Sequence, residues 1–167
     1  RDHVMLNDTE LAEYGISLYE VDRGGEATYH GPGQLVAYPV LNLKEWGGPV
    51  KYVRTLERVI TKTMKDFHIN VDLADGITGV WAGDRKIASI GIRMSRGITY
   101  HGFAMNVNTD LSYFDHIVPC GMIDGRITSM GNVLGRPVEM DMVAYSLAYH
   151  FGQEMGFHMV QDESMWT

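Results

Sequence analysis

The chain has one cysteine, Cys120, and only five prolines in 167 residues. A lone thiol cannot pair within the chain, which excludes a disulfide-stapled fold, and with no secretory leader a reducing, cytoplasmic setting is expected. Positive charge is also scarce, since 14 Lys and Arg against 21 Asp and Glu leave a formal charge of −7. The overall field therefore favours neither a nucleic-acid backbone nor an anionic membrane surface. No apolar run approaches the roughly 18 residues of a membrane span, and even residues 31–43 are interrupted by Gln34 and Asn42. Metal-binding patterns are missing too. There is no Cys-x-x-Cys, His-x-x-x-His or His-Glu-x-x-His spacing, so no metal is expected, and His3, His68, His116, His150 and His158 read as surface or half-buried residues.

What is present is enough apolar residue, 45% of the chain with 10% aromatic, for one domain with a real core. Residues 1–167 read as a single domain without repeats or low-complexity tracts. From residue 50 to 67 the apolar side chains Val53, Leu56, Ile60, Met64 and Phe67 recur every three or four positions, predicting a helix buried on one side. Its other side carries Lys51, Arg54, Arg58, Lys62 and Lys65, a basic stripe suited to an acidic partner. A second helix is predicted over residues 140–155, with Gly156 as its C-terminal cap. Strands are predicted at 16–21, 35–41, 79–81, 86–94, 98–106 and 158–160. The turns Gly83-Asp84 and Ser95-Arg96-Gly97 make the middle of the chain an antiparallel meander. The fold class is α+β, a mixed and largely antiparallel sheet with packed helices.

Three stretches have glycine and polar residues that no helical or strand stripe requires. In Arg23-Gly24-Gly25-Glu26-Ala27-Thr28-Tyr29-His30-Gly31-Pro32-Gly33-Gln34, glycines let the backbone approach a ligand while Arg23, Thr28, Tyr29 and His30 supply donors. The run lacks both the Lys-Ser/Thr ending of a phosphate loop and the third glycine of a dinucleotide fingerprint. In Lys86-Ile87-Ala88-Ser89-Ile90-Gly91, Lys86 starts an apolar strand, where low dielectric lowers an amine's pKa and fits it for proton exchange. The alternative is a lysine snorkelling at a strand edge. The third stretch is His101-Gly102-Phe103-Ala104-Met105-Asn106-Val107-Asn108, followed by Val118-Pro119-Cys120-Gly121. Pro119 and Gly121 put the thiol on a turn, which marks it as a candidate nucleophile, with Lys86 or His30 as the group that activates it.

In this order the three stretches resemble the lipoyl(octanoyl) transferase family, enzymes that move an octanoyl group from acyl carrier protein onto a lysine of a lipoyl domain. The resemblance runs from about Ile16 to the C-terminus and includes Thr128-Ser129-Met130. It implies the sheet shared by biotin protein ligases and lipoate ligases, an acyl-thioester intermediate on Cys120, and Lys86 as its dyad partner. It further implies an acyl site lined by Arg23, Gly24, Gly25, Glu26, Ala27, Thr28, Tyr29, His30, Ser89, Ile90, Gly91, Gly102, Phe103 and Ala104. No cofactor is expected to be bound, because the acyl donor arrives on the phosphopantetheine of acyl carrier protein. The implied partners are octanoyl-acyl carrier protein, the lipoyl domains of 2-oxoacid dehydrogenase subunits and the glycine cleavage H protein, with the enzyme itself a monomer. Family members carry a substantial region before the Arg-Gly-Gly loop, so the chain reads as a fragment or as an N-terminally shortened member.

Three rival classes remain. An ATP-dependent lipoate or biotin protein ligase shares the fold but needs no nucleophilic cysteine. A non-catalytic relative would only bind a lipoyl or acylated domain, and a cysteine hydrolase would pair Cys120 with His30 or His101.

Overall fold

The computed structural model describes residues 3–44, 46–74, 76–117 and 126–162. Its elements in chain order are α1 (Asp8–Glu13), β1 (Gln34–Ala37), α2 (Gly48–Asp66), β2 (Val80–Ala82), β3 (Arg85–Ser95), β4 (Ile98–Asn106), a 3-10 helix (Leu111–His116), α3 (Met130–Leu134) and α4 (Met140–Met155). The strands form one antiparallel sheet in the order β1-β4-β3-β2. An isolated parallel bridge joins Lys86 to Ile127. The α+β class and the antiparallel meander agree with the sequence reading.

Helix α2 starts where Gly47 and Gly48 take positive φ values of 114° and 82° and Pro49 supplies a first-turn φ that needs no N–H partner. Its buried face is Tyr52, Leu56, Val59, Ile60 and Met64, all with no exposed surface. Val53 is only half-buried because it borders the cleft described below. Helix α2 packs against α4, and between these helices and the sheet lie Val80, Ile87, Met105, Val107 and Val143. Burying aliphatic surface at about 25 cal/mol per Å² is what holds the two layers together.

The basic face of α2 is largely partnered within the molecule. Arg58 and Lys62 both bind Glu154 of α4, at 2.9 and 2.7 Å, and Arg54 binds the fully buried Glu57 at 2.8 Å. Lys51 donates to the Trp46 carbonyl at 2.9 Å and lies over the Trp46 ring. The stripe therefore ties α2 to α4 and to its own N-terminal approach before it meets any partner.

Several predicted elements differ. Residues 16–21 are not a strand; Leu18, Tyr19 and Val21 are exposed, and alternation without a neighbouring ladder leaves the segment irregular. Residues 158–160 are not a strand either, because the chain turns back over the end of α4. Gly156 has φ 73°, and a Cβ on Gly152 would lie 2.7 Å from Met159 Cγ. The strand expected at 35–41 ends at Ala37. Among the described residues no helix is long and apolar enough to cross a membrane.

Candidate active site

The loop of residues 23–30 is pinned to the sheet through its backbone and by two charged side chains next to it. Gly24 N–H donates to the Ile92 carbonyl at 3.1 Å. Arg93 donates to the Asp22 carbonyl at 3.0 Å and pairs with the Asp22 carboxylate at 3.2 Å. His101 Nε2 meets the other Asp22 oxygen at 3.0 Å, with the histidine backbone at φ 57°. That hydrogen bond is the main reason the Asp22 carboxyl titrates below its ordinary range, with Arg93 adding to it. Arg23 turns its guanidinium onto its own loop, donating to the carbonyls of Gly24 at 3.0 Å and Glu26 at 2.6 Å. This stiffens the loop, and Gly25 allows the turn with φ 87°.

Beneath the loop runs a chain of amides whose orientation can be read from one end. The Thr128 carbonyl can only accept, so Asn106 Nδ2 donates to it at 3.1 Å. Asn106 Oδ1 then accepts from Gln34 Nε2 at 2.9 Å, and the same Nε2 donates to the Tyr29 carbonyl at 3.2 Å. This leaves Gln34 Oε1 as the acceptor for His30 Nδ1–H at 2.6 Å. The relay thus sets the tautomer of a neutral His30, with the hydrogen on Nδ1. It also reaches the lysine strand, because Thr128 N–H donates to the Lys86 carbonyl and Lys86 N–H to that of Arg126, each at 3.0 Å.

These elements enclose a cleft of about 480 Å³. Arg23, Gly24, Gly25, Glu26, Thr28 and His30 form one wall, Ser89, Ile90 and Gly91 of β3 and Gly102, Phe103 and Ala104 of β4 the floor, and Lys86 also borders it. Lys86 is only 8% exposed, with Nζ 5.1 Å from the Trp81 ring centre. The cleft further takes in Tyr38, Val53, Ile77, Thr78, Ile92, His101 and Phe114. Sequence reasoning did not name Val53, Tyr38 or residues 76–78 for the site; they come from the faces of other elements and no motif marks them.

Two predicted lining residues lie elsewhere. Ala27 is not among the cleft residues, and Tyr29 turns away to stack on Tyr113 at 4.9 Å, with its edge toward Phe114. Tyr29 thereby fastens the loop to the 3-10 helix, and burial raises its phenol's pKa. The glycines also divide by role. A Cβ on Gly91 would come 2.9 Å from the Gly24 carbonyl oxygen, so Gly91 makes room for the loop, whereas a Cβ on Gly102 would sit 2.0 Å from the Ala37 oxygen, so Gly102 makes room for β1. The predicted nucleophile Cys120, with Pro119 and Gly121, lies outside the described residues.

The model of the lipoyl protein ligase A/B catalytic domain family matches residues 1–152. The chain belongs to that family. Within it, the octanoyltransferase of Solibacter usitatus (strain Ellin6076) is 45% identical over 165 residues, covering 98% of this chain and 74% of that protein. With further octanoyltransferases aligned along most of its length, the chain is an enzyme of the lipoyl(octanoyl) transferase type. The fold of this family member is shared with lipoate-protein ligase A in its ATP-bound crystal structure, at a TM-score of 0.80 and 21% identity over 96% of this chain and 67% of that one. Biotin protein ligase from Aquifex aeolicus follows at a TM-score of 0.61 and 18% identity, over 74% of this chain and 53% of that one.

Proposed function

We propose that the enzyme transfers an octanoyl group from the phosphopantetheine thioester of acyl carrier protein to the ε-amine of a lipoyl-domain lysine, through a thioester on Cys120. The observation that carries this reading is the convergence of the 23–26 loop, residues 89–91 and residues 102–104 on one cleft that Lys86 also borders. An octanoyl chain calls for an apolar floor, which Ile90, Phe103 and Ala104 supply, and a thioester calls for nearby backbone and side-chain donors.

In the first half-reaction Lys86 accepts the Cys120 proton and the thiolate attacks the thioester carbonyl. The tetrahedral intermediate collapses, the carrier's thiolate leaves, and Lys86 returns the proton to it. In the second, the substrate lysine, as a neutral amine, attacks the acyl-cysteine. The C–S bond breaks, Lys86 accepts a proton from the attacking nitrogen and passes it to the departing Cys120 thiolate, and the amide and the free Cys120 thiol form. The donor thioester is already activated, so the reaction as proposed draws on no nucleotide.

Intact mass after mixing with octanoyl-acyl carrier protein tests the reading. One octanoyl group should be added to wild type, none to Cys120→Ser, and lipoyl domain should remove it. Octanoylation of lipoyl domain from free octanoate that needs ATP and survives Cys120→Ser would overturn the covalent mechanism in favour of ligase chemistry. Lys86→Arg should fail as well, since a guanidinium keeps its proton at working pH.

A further inference from the structure

Helix α2 carries a carboxylate where its packing stripe calls for an apolar side chain. Glu57 lies one turn after Val53, the α2 residue that borders the cleft, and three positions before Ile60, so the three share a face of the helix. It has no exposed surface. Burying a carboxylate is costly unless hydrogen-bond donors answer it, and the donors show what Glu57 holds. Oε2 takes Arg54 Nη1 at 2.8 Å, and Oε1 takes the backbone N–H of Gly79 at 3.4 Å, its one donor among the described residues.

Gly79 in turn lies against the lysine of the cleft. It follows Gly76, Ile77 and Thr78, which border that cleft, and it enters β2 with φ 140°, a backbone angle that favours glycine. A Cβ built there would be 2.6 Å from Lys86 Cε, 3.0 Å from the Ala88 carbonyl oxygen and 3.1 Å from Trp81 Cη2. The Lys86 stem therefore passes against the bare α-carbon of Gly79, with the indole ring that Nζ overlies beside both. A lysine stem is long and flexible, so ordering it needs such contacts. A proton acceptor works only within hydrogen-bond reach of the proton it takes. Whatever fixes residue 79 thus bears on where Lys86 Nζ stands.

We infer that Glu57 is a positioning residue for Lys86 and acts through Gly79: it ties the backbone of residue 79 to α2, and that backbone is the surface that aligns the lysine stem. This rests on the acyl-transfer reading above and adds to it the group that stands behind the proton carrier. Arg54 closes the second oxygen of Glu57 from the solvent side. Its own side chain is 49% exposed, so a variant without the carboxylate can release Arg54 to water.

The test compares wild type with Glu57→Met, which keeps the reach of the side chain and removes the acceptor, and with Glu57→Gln, which keeps one acceptor oxygen. Each protein is labelled with [ε-13C]lysine, and the Lys86 signal is the one absent from Lys86→Arg. The ring current of Trp81 sets that signal apart in wild type, and in Glu57→Met it should move toward the positions of the surface lysines. Gly79→Ala, whose Cβ would displace Lys86 Cε, should move it as well. In transfer from S-octanoyl pantetheine to lipoyl domain, Glu57→Met should lower kcat at least about tenfold and leave KM for the thioester within about twofold, because a reacting group is misplaced while the acyl floor is untouched. Glu57→Gln should recover part of both effects. Apolar replacement of a buried charge is commonly neutral for stability, so Glu57→Met should melt close to wild type. Glu57→Leu is the second variant if it melts early, and collapse of both would mark Glu57 as a residue of the fold and overturn the inference. A Lys86 signal that stays in place in folded Glu57→Met would overturn it too, even with turnover reduced, and so would a displaced signal with kcat unchanged. Wild type that forms no octanoyl adduct, while the Lys86 signal still moves in Glu57→Met, would instead overturn the transfer reading and leave Glu57 as the residue that places Lys86.

Discussion

Replacing Gly102 with alanine should damage the sheet before it damages the acyl site. The added Cβ would lie 2.0 Å from the Ala37 oxygen and 2.9 Å from Pro39 Cδ, where ordinary contacts begin near 3.4 Å. Strand β1 would have to recede by well over 1 Å from β4, and Ala37 faces Phe103 in the ladder the two strands share. Such overpacking costs about 1–3 kcal/mol, and each ladder bond lost with it adds about 1 kcal/mol. At about 3 kcal/mol the melting temperature of a domain this size should fall by roughly 6–12 °C. Gly91→Ala provides the contrast. Its Cβ meets the Gly24 oxygen at 2.9 Å and Arg23 Cδ at 3.0 Å, so a shift of a few tenths of an ångström in the loop relieves it. Gly91→Ala should therefore keep nearly wild-type melting and lose most of its octanoyl-adduct yield. Differential scanning calorimetry beside adduct mass separates the two cases. A Gly102→Ala protein melting within about 2 °C of wild type would refute the steric argument.

Other outcomes follow from the ion pairs. Arg54→Ala leaves the buried Glu57 carboxylate without its cation and should lower stability by about 2 kcal/mol in denaturant unfolding, while Arg54→Lys should recover part of it. The hydrogen bond from Lys62, followed by that from Arg58, holds the Glu154 carboxyl below its ordinary 4.5, and Ser146 and then His150 do the same for Asp66, whose ordinary value is 3.8. A carboxyl with a depressed folded pKa stabilises above its unfolded pKa and loses that contribution as pH falls through the folded one. Stability should therefore drop as pH falls below about 4.5, and Glu154→Gln should be less stable at neutral pH and flatter in acid. Arg58→Glu would face Glu154 directly, so it should loosen α2 from α4 and lower melting temperature even with no partner present.

Much of this architecture was legible in the sequence because it follows from local pattern. The stripe over residues 140–155 with Gly156 behind it matches α4 residue for residue, and Ser95-Arg96-Gly97 placed the turn between β3 and β4. Helix α1 was missed although Asn7 and Glu10 form a capping box that the sequence displays; at six residues it is too short to show a period. The 3-10 helix was missed for the same reason. Placements that depend on distant partners were not legible. Tyr29 looks like a cleft residue in its motif, and only a ring brought in by the 3-10 helix turns it away. Gly102 stands in a ligand-like run, yet the atom that requires a glycine there belongs to β1.

The amide relay under His30 also ties together parts of the chain that are far apart in sequence. Because Gln34 Oε1 accepts the Nδ1 hydrogen and the amides behind it are oriented as far back as the Thr128 carbonyl, Nε2 is the ring nitrogen left to meet whatever the cleft holds. The direction His30 presents is thus set from behind by β1, β4 and the segment before α3, so that a side-chain change at Asn106 would be felt at the rim of the cleft through Gln34.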